Sequence, residues 1–186
     1  GAGDVDADIY ILDTGVAHRD MNLVETIDFT GEGTQSQDPV GHGTHVAATA
    51  AATDNDFGVV GVAPGARIHN LRVLDANGEA DLSTAIAAME YLTDLKANSP
   101  EMPIIANISF GADIGTTVYN ALDQAVASAI AQGVVVVVAA GNDAIDASTV
   151  TPAHVTEAIT VGAFASSPGS FAWFSNYGPS VDILAP

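Results

Sequence analysis

Two histidines, His42 and His45, stand three residues apart in the stretch GHGTHVAA, Gly41 to Ala48, at the mouth of an Ala-rich run. On a helix starting at about Gly43 this spacing puts both on one face. His42 then sits at the rim, free to reach a neighbouring site, and His45 points back under the helix toward the core. A rim imidazole suits general acid and base chemistry near neutral pH, although a structural histidine would look the same in this octet. Asp13, Ser109 and Asn142 are polar residues that follow apolar runs. Asp13 could orient an imidazole or simply cap a strand end. The stretch TDNDFGV, Thr53 to Val59, is rich in oxygen ligands. Asp54, Asn55 and Asp56 suit a hard cation that takes six to eight oxygens, but spacing alone favours a plain turn.

These residues need elements to position them. Asp8–Leu12 reads as a short apolar strand entering Asp13-Thr14-Gly15, and residues 18–39 read as a polar loop without periodicity that delivers the chain to His42. Residues 67–73 form the next strand. Leu82, Ala85, Ile86, Met89 and Leu92 recur at helical spacing over residues 81–96, and Pro100 and Pro103 end that helix. Residues 104–108 are a strand. Residues 117–132 repeat the helical pattern through Val118, Leu122, Ala125, Val126 and Ile130 until Gly133 stops it. Five consecutive valines, 134–138, read as a parallel strand buried on both faces, and residues 159–163 as one more strand. Alternating helices and strands predict an α/β fold with a mostly parallel sheet. Asp13, Ser109 and Asn142 then share one sheet edge, where open α/β sheets place their functional groups.

Length and composition narrow the possibilities. The 186 residues, 48% hydrophobic, can bury one sizeable core. The balance of 23 Asp and Glu against 4 Lys and Arg gives a net charge of -19. Such a surface repels phosphate backbones and anionic lipid, which argues against nucleic-acid and membrane partners, and it hints at tolerance of high salt. No apolar run reaches the eighteen residues of a membrane span. The absence of cysteine removes disulfides, thiol catalysis and thiolate metal sites.

In order along the chain, YILDTGV, GHGTHVAATAA, GVVGVAPGA, NISFGA, VVVVAAGN and FSNYGPSVDILAP resemble the motifs of subtilisin-like serine peptidases, the subtilases. The resemblance implies a three-layer sandwich, incomplete at both ends, with residues 1–186 forming part of a secreted peptidase's catalytic domain. Asp13 and His42 match the aspartate and histidine of the family's triad, and His45 matches its non-catalytic histidine. A buried carboxylate that accepts the imidazole N–H fixes the tautomer and stabilises the imidazolium. Asn142 matches the side-chain donor to the oxyanion; loss of that donor, measured on a subtilisin, costs about 2.7 to 4 kcal/mol. Gly78, Glu79 and Ala80, with Ser109, Phe110 and Gly111, would pair with an extended peptide substrate. Phe110, Gly111, Ala139 and Ala140 would border the pocket for the side chain before the scissile bond.

The resemblance also implies calcium, held by the carbonyls of Thr53, Phe57 and Val59, the Asn55 side chain and the Asp20 carboxylate. A second site would use Asp182 with carbonyls near Thr156 and Ala158. The family's nucleophilic serine belongs to a GTS-type motif that does not occur in this sequence. Ser109 and Ser175 belong to other motifs. The chain alone is therefore expected to be inactive, and a second fragment or another copy is expected to cover an apolar face left bare. Two other readings compete. An aspartic peptidase would need two DTG motifs or a dimer and a β-sheet fold; a non-catalytic calcium- or peptide-binding α/β module would share every fold feature.

Overall fold

The computed structural model describes residues 5–17, 19–33, 38–165 and 171–186. In chain order the elements are β1 (Asp8–Asp13), β2 (Asn22–Asp28), α1 (His42–Ala51), β3 (Arg67–Arg72), α2 (Leu82–Asn98), β4 (Ile105–Ile108), β5 (Ala112–Asp113), α3 (Ala121–Gln132), β6 (Val135–Ala139), β7 (Val150–Thr151), β8 (Ile159–Ala163) and β9 (Ile183–Ala185). Seven strands form one sheet in the order β2-β3-β1-β4-β6-β8-β9, and β5 pairs with β7 separately. Every pairing in the large sheet is parallel. The C-terminal ends of β1, β4 and β6 therefore lie on one edge.

The two sheet faces are covered differently. Leu12, Leu71, Ile108, Val136 and Val138 bury one face against α2 and α3 through Met89, Leu92, Val126 and Ala129. On the opposite face α1 packs over Ile11 and Ile68 with Ala47 and Ala51. Beyond α1, that second face carries Val135, Ile159 and Ile183, which are 46%, 42% and 58% exposed, and no described helix covers them.

The sequence expectations need five corrections. Residues 22–28, expected in a loop, form edge strand β2; its burial is only partial and its register shifts between Leu23 and Glu25, so it lacks clean alternation. His18 and residues 34–37 of that expected loop lie outside the described residues. Helix α3 starts at Ala121, not Thr117, because Asn120 and Asp123 form a capping box there, and Val118 is exposed. The valine strand is buried on one face only: Val136 and Val138 are inside while Val135 is open. Strand β9, a short edge strand, was not expected.

The fifth correction concerns His45, which is exposed rather than core-facing. Gly43, Ala47 and Ala51 form the buried stripe of α1. His45 lies two residues beyond Gly43, about 200° around the helix, and so faces away from the sheet.

Candidate active site

Asp13 ends β1 and is fully buried. Its Oδ1 accepts the Thr14 N–H at 2.7 Å and lies 2.7 Å from Nδ1 of His42, with Oδ2 at 2.9 Å. The carboxylate accepts, so Nδ1 carries the proton and the lone pair belongs to Nε2. Burial pushes the Asp13 carboxyl above its usual range, and the hydrogen bonds from His42 and Thr14 offset only part of that rise. His42 is about half exposed. Among the described residues, none hydrogen-bonds its Nε2, and no serine hydroxyl reaches the ring.

Close approach of α1 to β1 creates this pair. A Cβ on Gly43 would lie 2.2 Å from the Gly15 carbonyl oxygen and 2.9 Å from the Asp13 Cβ. Only glycine lets the helix start so near the strand end. Asp38, which sequence reasoning left in a loop, tethers the same helix start. Its carboxylate accepts from the N–H groups of Gly41 and Thr44 and from the Thr14 hydroxyl. That hydroxyl in turn accepts from the Gly43 N–H at 3.0 Å. Burial opposes the Asp38 charge, but these bonds outweigh it and hold the carboxyl below its usual range. An Asp four residues before His42 is the signal that could have revealed it.

Asn142 is exposed just beyond β6, and no described residue hydrogen-bonds its side chain. Its loop is held by Asn176, a fully buried residue missing from the sequence-derived site. The Asn176 amide donates to the Ala140 carbonyl at 2.8 Å and accepts from the N–H groups of Asp143 and Ile145. Gly141 adopts φ 103°, and a Cβ there would lie 2.3 Å from the Asn176 amide nitrogen. Asn176 lies within the FSNYG motif, which was legible as a motif but not as a brace.

The expected substrate residues fall into two groups. Gly78, Glu79 and Ala80 line one wall of a groove of about 360 Å³, and Phe110 and Gly111 line the other, with Leu82, Leu122 and Thr151 also contributing. Ser109 accepts from the Asn107 amide at the end of β4, at 2.8 Å. Ala139 and Ala140 lie at the end of β6, Ala140 buried; they are not part of that groove lining.

The expected metal ligands also separate into two places. Asp20 is buried, its carbonyl accepts the Thr53 N–H, and its Oδ1 lies 2.7 Å from Nδ2 of Asn55. Oδ1 of Asn55 accepts the Phe57 N–H at 2.7 Å, and Val59 ends the loop exposed. The structure thus gathers Asp20, Thr53, Asn55 and Phe57 through hydrogen bonds in which their N–H groups and the Asn55 amide nitrogen take part beside the oxygens. Among the described residues no group of three or more His, Cys, Asp or Glu side chains is placed to hold a metal ion; the carbonyl and carboxylate oxygens here are the donor type that hard cations prefer. Asp182, which accepts the Thr160 N–H, shares a separate cavity of about 270 Å³ with Thr156.

Comparison with known proteins gives a family match along nearly the whole chain. The Subtilase family pattern matches residues 6–186. An extracellular serine proteinase from Thermus sp. (strain Rt41A) is 42% identical over 181 residues, which cover 95% of this chain and 41% of that protein. Subtilisin DY from Bacillus licheniformis is 38% identical over 183 residues, covering 96% of this chain and 63% of the relative. The crystal structure of a cold adapted subtilisin-like serine proteinase superposes with a TM-score of 0.84 at 36% identity, over 97% of this chain and 62% of the other. The chain thus spans about two-fifths to three-fifths of the length of these relatives. A DTG aspartate bonded to the first histidine of HGTH, on the edge of a parallel sheet and within a match of this extent, places the chain in the subtilase family.

Proposed function

We propose that this chain supplies the general base, its orienting carboxylate and an oxyanion donor of a serine endopeptidase of the subtilisin type. The observation that carries this reading is the 2.7 Å contact between buried Asp13 and Nδ1 of His42. It turns Nε2 into the basic nitrogen. In the reaction Nε2 takes the proton of a serine hydroxyl as the oxygen attacks the peptide carbonyl, while the Asn142 amide donates to the developing oxyanion. The imidazolium then protonates the leaving amine, and water repeats the cycle on the acyl-enzyme. The substrate is a peptide or protein lying extended between residues 78–80 and 109–111.

The serine lies outside the described residues, either in the same polypeptide or in one associated with it. Fluorophosphonate labelling tests this. A serine in the purified protein or in a companion polypeptide should be labelled, and His42→Ala should abolish the reaction. Absence of any labelled serine would instead support a non-catalytic peptide-binding module.

Two further readings belong to this proposal. Calcium binds the loop formed by Asp20 and residues 53–59, where it would tie the start of β2 to the end of α1; Asp182 with the carbonyls near Thr156 and Ala158 forms a second site. The protein works outside the cell, as the name of the Thermus relative indicates for that protein, and no helix among the described residues is long and apolar enough to cross a membrane.

A further inference from the structure

Behind the groove lies a buried polar cluster that the proposed chemistry does not use. Asp123, fully buried in the first turn of α3, accepts from the Thr151 hydroxyl at 2.6 Å and from the Asn120 N–H at 2.7 Å. Nε2 of His154 lies 2.8 Å from Oδ2 of Asp123, the oxygen that accepts the Asn120 N–H, while the Thr151 hydroxyl is on Oδ1; Nδ1 of His154 lies 3.0 Å from the Ser148 carbonyl. His154 is 5% exposed and stacks on Tyr119 at 5.2 Å. Burying an ionisable pair is costly unless its bonds are well made. These bonds are short, and they link two segments distant in sequence, the start of α3 and residues 148–154.

Both linked segments form the groove. Leu122, the residue before Asp123, and Thr151, whose hydroxyl Asp123 holds, line it directly. Strand β7, containing Thr151, pairs antiparallel with β5, the continuation of the Phe110–Gly111 wall. Contact at Gly111 is so tight that a Cβ there would lie 2.7 Å from the Thr151 carbonyl oxygen. A shift of β7 must therefore move the wall as well as the floor.

We propose that the Asp123–His154 pair is a positioning unit that fixes the groove floor through Thr151 and Leu122, and thereby sets which substrate side chains the groove accepts. This rests on reading the groove as a peptide site. Neither residue touches the peptide; they act through the two residues that line it.

The test is calorimetric titration of the 186-residue chain with blocked hexapeptides of Ala, Gly and Ser in which a single Phe is moved through the six positions. Burying a Phe side chain should give the wild type a preference of about tenfold for one position over the background peptide. His154→Gln, remote from the peptide, should cut that preference to about threefold or less while leaving background binding within about twofold, and Thr151→Val, which keeps shape and removes the hydroxyl, should cut the preference to the same extent. Thr151→Ser, which keeps the hydroxyl, should restore it. Near-UV circular dichroism checks that each variant folds. If His154→Gln fails that check, Thr151→Val and its Ser rescue decide the outcome. A wild type that binds no peptide would overturn the peptide-site reading itself. A wild type that prefers one position, with Thr151→Val unchanged, would overturn only the positioning role.

Discussion

At the scale of single residues, Gly43 and Asp8 show how much one position can decide. Alanine at a helical glycine normally gains about 0.5 to 1 kcal/mol from propensity. At Gly43 the added methyl would meet a backbone carbonyl at 2.2 Å, and overpacking of that kind costs about 1 to 3 kcal/mol. The clash wins, so Gly43→Ala should lower the melting temperature and lengthen the Asp13–His42 contact; an unchanged melting temperature would refute this. Asp8 makes a paired contact with Arg67, its Oδ1 also lies 2.8 Å from Nε2 of His69, and its carboxyl is held at about 2. The Arg67 bonds are the main cause, and burial opposes them. A depressed carboxyl contributes stability above its unfolded value of 3.8 that is lost as pH falls from about 4 toward 2. Arg67 is 39% exposed, so solvent screening keeps the contribution small. Urea unfolding at pH 5 and pH 2.5 should show Asp8→Asn costing clearly less stability at the second pH than at the first.

At the scale of elements, the proposal of calcium in the loop at residues 53–59 offers the sharpest check. Asp20, just before β2, and residues 53–59, just after α1, are brought together by the Asp20–Asn55 contact. A cation held there at about 100 times its dissociation constant would add about 2.7 kcal/mol. In a chain of this size that is roughly 5 to 10 °C, so addition of a chelator should lower the melting temperature by that amount; no shift would remove calcium from this loop. The elements also show what the sequence made legible. Strong apolar runs and periodicities located β1, β3, β4, β6, β8 and α2, and thus the edge holding Asp13, Ser109 and Asn142. Strands β2 and β9 stayed hidden because edge strands are half exposed and lack alternation. Asn176 and the Asp123–His154 pair stayed hidden for a different reason. The contacts that give them their roles span 28 or more residues, and no local pattern records such contacts.

At the scale of the whole molecule, two opposing surfaces set behaviour in solution. Val135, Ile159 and Ile183 lie open on the sheet beyond α1, which favours association with another copy or another polypeptide. A net charge of -19 repels any second copy. Salt screens the repulsion, with a Debye length near 10 Å at about 0.1 M and 3 Å at about 1 M, and leaves apolar contact intact. Sedimentation velocity should therefore show monomer at low salt and larger species at about 1 M. A monomer under both conditions would mean that the open strands do not drive association.

The strand order has a consequence for how the chain is made. β1 precedes the other described strands of its sheet in the chain yet lies between β3 and β4, and Asp8 must wait for Arg67, 59 residues later, before its strand has a neighbour. No hairpin in the large sheet can form locally and template the rest, because every pairing there is parallel. Loop closure must come before most of the favourable contacts, and topologies of that kind cross high kinetic barriers. A nascent chain of this protein would pass through a long interval with apolar strands unpaired, when chaperones and proteases compete for it.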